Sequence, residues 1–314
     1  MIGQLRENGE WWRTMVRGGL AAALVWAGAA GAAAWSAAAR PRSPWPEGKI
    51  AALTLGFDVD AETLWWEDRA AMKGKPGPLS QGRYGPKVAL PQILDLLESH
   101  GIRATFFIPS WVAETYPEGA RAIAAAGHEI GAHGERHESP SELAPEEEAR
   151  VLKSSRAALE KITGIRAIGY RAPSWALSPV TLELIAREGF IYSSNLMDAD
   201  LPYVHERPAG LVELPVSWVL DDAAHFWFDE SSWDKPIVSA ASVLAIWKEE
   251  FEAAYEQGGY FNLTLHPQFI GRPARLKMLD EFLRWVEVFP AVWIAPGEEI
   301  ARRVRDVQAA GTRR

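Results

Sequence analysis

From residue 50 onward the chain alternates short apolar runs with longer segments whose apolar residues recur at helical spacing. Residues 50–57 form a nearly unbroken apolar run, which reads as a strand buried on both faces. Within residues 88–100, Leu90, Ile93, Leu94 and Leu97 lie on one helical face, and Gly101 supplies the stop. Further strands are expected at 104–108, 128–132, 167–169, 211–216, 260–265 and 291–294, and helices at 117–126, 178–188, 239–257 and 275–289. Another helix opens at Pro145, with Glu146, Glu147 and Glu148 in its first turn and Lys161 near its last, and Gly164 ends it. Residues 65–85 are polar and glycine-rich, which predicts a long binding loop in which Trp65 and Trp66 either line a pocket or pack beneath it. The alternation as a whole predicts an α/β domain with a parallel, barrel-like sheet. In such a barrel the carboxyl ends of the strands converge on one face, so residues distant in sequence meet there.

The N-terminal segment has a different pattern. Residues 18–39 are uncharged and alanine-rich over about one bilayer's length, with Arg13 and Arg17 before them and Arg40 and Arg42 after. A signal peptide and a membrane anchor both fit; Ser36, Ala37, Ala38 and Ala39 suit a cleavage site, whereas Glu7 and Glu10 suit a leader poorly. A third reading is an extension ahead of the true start. On the leader readings the protein is extracytoplasmic or membrane-anchored, with membrane contact through this segment; otherwise it is cytoplasmic. Residues 1–44 are therefore set apart as leader and linker, and 45–308 as the catalytic domain.

Composition narrows the function. A 314-residue chain that is 48% hydrophobic and 24% charged is an ordinary globular composition. Its net charge of -8 and the absence of a basic stripe argue against nucleic acid as a partner. With no cysteine, disulfides, thiolate metal sites and a cysteine nucleophile are excluded. The acidic, helix-covered surface fits a monomer or a symmetric homo-oligomer.

The chemistry concentrates after the strands. His133 and His137 stand four residues apart, which turns both imidazoles toward one point if the segment is helical, and neutral imidazole suits zinc and its neighbours. Asp58, Asp60 and Glu62 close the first strand, and in continued extension all three share a face. Burying such acids costs desolvation energy unless they are paired or bind a cation; the other reading is a solvated loop. His266 follows the 260–265 strand, and Asp221 and Asp222 follow the 211–216 strand. His128 precedes its strand and His100 ends a helix, so both read as structural, and His205 and His225 have no evident partner.

The ordered set FDVDAE (57–62), HGERH (133–137), YRAPS (170–174) and LTLH (263–266) resembles the motifs of the polysaccharide deacetylase (NodB-homology) family over roughly residues 45–300. The spelling is most similar to bacterial peptidoglycan-deacetylase-like proteins, a subgroup also similar to metal-independent allantoinases and cyclic-imide hydrolases. The resemblance implies a distorted (β/α)7 barrel. It leads to a site in which Asp60, His133 and His137 bind a divalent metal, most simply Zn2+, Asp58 is the general base and His266 protonates the leaving nitrogen. It further implies that Arg171 orients Asp58, with Asp221 or Asp222 holding Arg171 in turn. Where the family's third motif usually ends in tyrosine, this chain has Ser174, followed by Trp175.

Two substrate classes follow. One is an acetylated glycan such as peptidoglycan or chitin-like oligomers. The other is a small cyclic amide or imide in a narrow pocket closed by Trp65, Trp66, Trp175 and Trp218. A binding module on a retired scaffold is the third reading, and the presence of both Asp58 and His266 argues against it.

Overall fold

In a computed structural model, residues 44–67, 74–229 and 232–311 are described. The alanine-rich segment 18–39 lies outside them. Among the described residues no helix is long and apolar enough to cross a membrane.

The strands are β1 (Ala51–Asp58), β2 (Thr105–Ile108), β3 (Glu129–Ala132), β4 (Gly169–Tyr170), β5 (Tyr192–Ser193), β6 (Tyr203–Val204), β7 (Val212–Glu213), β8 (Tyr260–Leu265) and β9 (Val292–Ile294). They form one sheet in the order β6-β7-β5-β4-β3-β2-β1-β8, with β9 also pairing β1. Every pairing is parallel except β6 with β7. All eight residues of β1 are buried, as its apolar run requires of a strand covered on both faces.

The sheet curls into a distorted barrel whose seam is closed without a backbone ladder. Asn262 of β8 donates through Nδ2 to the carbonyls of Leu214 (3.3 Å) and Pro215 (3.0 Å) and to Ser194 Oγ (3.2 Å). Asp221 forms an isolated parallel bridge with Thr264.

The helices are α1 (Thr63–Glu67), α2 (Pro76–Tyr84), α3 (Leu90–Ser99), α4 (Ser110–Thr115), α5 (Pro117–Ala125), α6 (Pro145–Thr163), α7 (Thr181–Arg187), α8 (Asp222–Phe226), α9 (Ala240–Gln257), α10 (Pro267–Ile270), α11 (Pro273–Val286) and α12 (Gly297–Gly311). Helix α6 begins with proline and ends at Gly164 in the left-handed region (φ 75°), as its sequence pattern predicts.

The described part of the 65–85 stretch corrects the expected loop. It forms α1 and α2, and a π-turn (Gly85–Ala89) leads into α3. The reason is close packing. A Cβ at Gly82 would lie 2.4 Å from the Ala61 carbonyl oxygen, so glycine here lets a helix press against the end of β1 instead of marking a loop.

Helix α12 closes the barrel floor. The Gly297 N–H donates to Thr105 Oγ1 (2.8 Å) and the Glu298 N–H to Glu129 Oε2 (2.9 Å), satisfying two helix-start donors from β2 and β3. Tyr192 donates to Glu129 Oε1 (2.7 Å). Tyr192 can occupy this position because residue 169 is glycine: a Cβ there would lie 2.0 Å from the Tyr192 ring.

Candidate functional site

Asp58 is the last residue of β1, and one further extended step puts Asp60 on the same side. Ala61 then takes a left-handed conformation (φ 51°), which ends the extension. Glu62 is consequently turned out of the group, against expectation, and accepts a hydrogen bond from the Tyr116 hydroxyl at 2.7 Å.

His133 follows β3 directly. Its Nδ1 lies 2.7 Å from the Arg171 carbonyl oxygen; the carbonyl can only accept, so Nδ1 carries a proton and Nε2 is left facing Asp60, 3.4 Å from Oδ1. The two histidines are joined by a tight turn and not by a helical one: Gly134 (φ 73°) and His137 (φ 69°) are both left-handed. This turn brings His137 Nε2 to 3.9 Å from Asp60 Oδ1.

Asp60, His133 and His137 are buried, and one donor atom from each lies within 4.8 Å of the others. Asp60 Oδ1 makes no hydrogen bond, while Oδ2 accepts one from Gln268 Nε2 at 3.3 Å. An uncommitted carboxylate oxygen facing two imidazole nitrogens is a donor set that fits a zinc-type divalent ion. Burial disfavours the Asp60 carboxylate, but His137, His133 and His266 outweigh it and hold its pKa well below the usual range.

Arg171, just after β4, donates through Nη1 to Asp58 Oδ1 (2.8 Å) and through Nη2 to Ser194 Oγ (3.0 Å), with its guanidinium 4.3 Å over the Phe107 ring. Glycine at 56 gives it room, since a Cβ would come within 2.9 Å of Nη1. The expected hold of Asp221 or Asp222 on Arg171 is not seen. Asp222 instead grips His266 at the ring, Nδ1 to Oδ1 2.6 Å, and at the backbone N–H, 3.1 Å. Asp221 Oδ1 caps α8 at the Ala223 N–H (2.7 Å) and lies 3.6 Å from His266 Nδ1.

Burial would lower the His266 pKa, but Asp221, Asp222 and Asp60 override it and push it well above the ordinary imidazole value. Burial pushes Asp221 up to about 7, against the attraction of His266. His266 Nε2 stands 3.6 Å from Asp60 Oδ2, so this acid–base pair borders the Asp60 cluster.

A cleft of about 210 Å³ opens over Asp58, His133, His137 and His266. Trp175 and Trp218 form one wall with ring centroids 4.4 Å apart, and Trp227 forms another. Trp65 and Trp66 do not line it. Trp65 is fully buried against Trp227 and Phe269, and Trp66 packs on Trp111. The described non-glycine residues with left-handed backbone are Ala61, His137, Ser174 and Trp175, and all four border the cleft or the acids beneath it. Such strain persists only where surrounding structure enforces it, and it gathers at functional sites.

The remaining histidines have structural partners: His100 with Asp280 and Glu287, His205 with Glu213, and His225 with the Val219 carbonyl. His128 accepts from the Ala104 N–H, and burial pulls its pKa down to about 4. Gln268, Ser194 and Lys235 are neighbours of the site that sequence reasoning did not single out. Gln268 alone left a signal, two residues after His266 at the start of α10.

Residues 84–192 match the polysaccharide deacetylase family model. A Mycobacterium smegmatis crystal structure named for the polysaccharide deacetylases is 39% identical, with a TM-score of 0.81 over 84% of this chain and 93% of that one. The peptidoglycan deacetylase of Helicobacter pylori is 29% identical over 275 residues, covering 78% of this chain and 94% of the relative. An allantoinase crystal structure, 24% identical with a TM-score of 0.74 over 84% of this chain and 94% of that one, shares the fold. With the barrel, the site geometry and these likenesses together, the chain belongs to the polysaccharide deacetylase family.

Proposed function

We propose that this chain is a metal-dependent hydrolase that removes the acetyl group from an N-acetylated glycan of the peptidoglycan or chitin-like kind. The observation that carries the reading is the convergence of Asp60, His133 and His137 between an Arg171-held Asp58 and an Asp222-held His266. The first three residues would hold a divalent ion such as zinc, whose chemistry when bound is to polarise a carbonyl and acidify water. Asp58 takes the proton from the attacking water, and the Arg171 guanidinium, 2.8 Å from its Oδ1, holds it in position. His266, kept protonated by the surrounding carboxylates, donates to the departing nitrogen. An amine leaves poorly without that proton, so an amide hydrolase needs a donor on this side as well as a base on the other.

The likeness to the Helicobacter pylori peptidoglycan deacetylase supports the glycan substrate. A second reading, hydrolysis of small cyclic amides or imides, is favoured by one observation: the cleft is small and walled by Trp175, Trp218 and Trp227. The two readings share their mechanism and differ in substrate. The test is acid release by the zinc-loaded protein from chito-oligosaccharides, peptidoglycan and cyclic imides, with Asp58→Asn as control. Release from a glycan alone upholds the first reading, and release from imides alone replaces it with the second.

A further inference from the structure

We propose that Gln268 is a positioning residue for the metal: it ties down one carboxylate oxygen of Asp60 and so reserves the other as a single, fixed ligand. The inference deepens the metal-dependent reading above and rests on it. Gln268 lies in α10, two residues after His266, and is buried. Its Nε2 donates to Asp60 Oδ2 at 3.3 Å, whereas Oδ1 is the oxygen that faces His133 (3.4 Å) and His137 (3.9 Å). The amide and the two imidazoles thus divide the carboxylate between them.

Chemistry fixes the orientation of the amide. A carboxylate only accepts, so Gln268 must turn its NH2 toward Asp60 and its carbonyl away. The buried Oε1 finds no hydrogen-bond partner there, a cost that an apolar side chain of similar size would avoid. Packing holds the amide in place. A Cβ at Gly85, the first residue of the π-turn, would lie 3.2 Å from the Gln268 backbone nitrogen and 3.3 Å from Oε1, so the turn sits directly on the amide. The Tyr84 hydroxyl donates to the Gly271 carbonyl (3.1 Å), which fastens the end of α10 to the same segment. A carboxylate with both oxygens free can take an ion through one of them or through both. With Oδ2 held, Asp60 presents Oδ1 alone, and partners of this kind orient ligands and tune affinity.

Two ions test this without turnover: Zn2+ for affinity, and Co2+ for coordination, because its visible absorption weakens as ligands are added. Gln268→Met keeps the volume and removes the donor, and Gln268→Asn keeps an amide one methylene short of Asp60. Each variant is expected to bind Zn2+ about tenfold to a hundredfold more weakly in chelator competition. With Co2+ bound, each is expected to absorb more weakly than the parent, as Asp60 takes the ion through both oxygens. A packing role alone would lower the melting temperature of the metal-free protein and leave both readings as in the parent. Zinc affinity equal to the parent's in either variant, or cobalt spectra equal to the parent's in both, would overturn the proposal.

Turnover separates this inference from the function beneath it. Zinc-dependent acid release by a parent whose zinc affinity does not depend on Gln268 upholds the hydrolase and overturns the role of Gln268. A Gln268-dependent zinc affinity in a protein that releases acid from neither glycans nor imides upholds the role of Gln268 and overturns the hydrolase. A parent that takes up neither ion overturns both.

Discussion

Asp222 holds His266 at two points, accepting from the ring Nδ1 at 2.6 Å and from the backbone N–H at 3.1 Å. This grip fixes the ring so that Nε2 faces Asp60 and the cleft. Asp222→Asn keeps the size but removes the charge that stabilises the imidazolium. It is expected to lower kcat by about a hundredfold with a small effect on KM, the signature of a lost proton-transfer contribution. An unchanged kcat in steady-state assays would exclude a catalytic contribution from the Asp222 charge.

Metal binding should depend on each of the three converging residues. His133→Ala and His137→Ala are each expected to lose stoichiometric zinc by elemental analysis, and a chelator should inactivate the parent protein until zinc is returned. Stoichiometric zinc persisting in both variants would sink the ligand assignment.

Arg171 and Asp58 form a buried ion pair at 2.8 Å. Removing one partner strands the other, so Arg171→Met is expected to destabilise the fold by about 3–5 kcal/mol in urea unfolding. Adding Asp58→Asn should recover part of that loss by neutralising the stranded carboxylate. If the double variant recovers nothing, the cost comes from lost packing over Phe107 and not from charge.

Glu129 gives a pH dependence outside the reaction centre. Burial pushes its pKa from 4.5 up to about 7, partly offset by bonds from Thr105, the Glu298 N–H and Tyr192. The folded state therefore keeps a proton that the unfolded chain releases, and stability falls as pH rises through this window, by at most about 3 kcal/mol. Below the window the contribution is constant, and above it the loss is complete. Glutamine does not titrate. The melting temperature of Glu129→Gln is expected to gain on the parent as pH goes from about 5 to about 8; a difference that stays constant with pH would refute the shift.

The sequence by itself determined the parts governed by local pattern. The apolar run before Asp58 could only be a buried strand, and Pro145 with Gly164 bracketed α6 because proline suits a helix start and glycine a left-handed end. Strand-end placement put Asp58, Asp60, His133, Arg171 and His266 on one face, since parallel strands in a barrel share a carboxyl end. Tertiary structure alone decided the pairings. A single left-handed residue, Ala61, sent Glu62 to Tyr116, and Asp222 went to His266 across 44 positions of chain while Ser194 took the contact on Arg171 expected of an acid. Trp65 packed on Trp227 and Phe269 and Trp66 on Trp111, so that Trp227, which the pattern had not singled out, lines the cleft in place of the expected pair. Periodicity reports which face of an element is buried. The partner a polar side chain finds there depends on distances between segments remote in sequence, and only the closed barrel sets those distances.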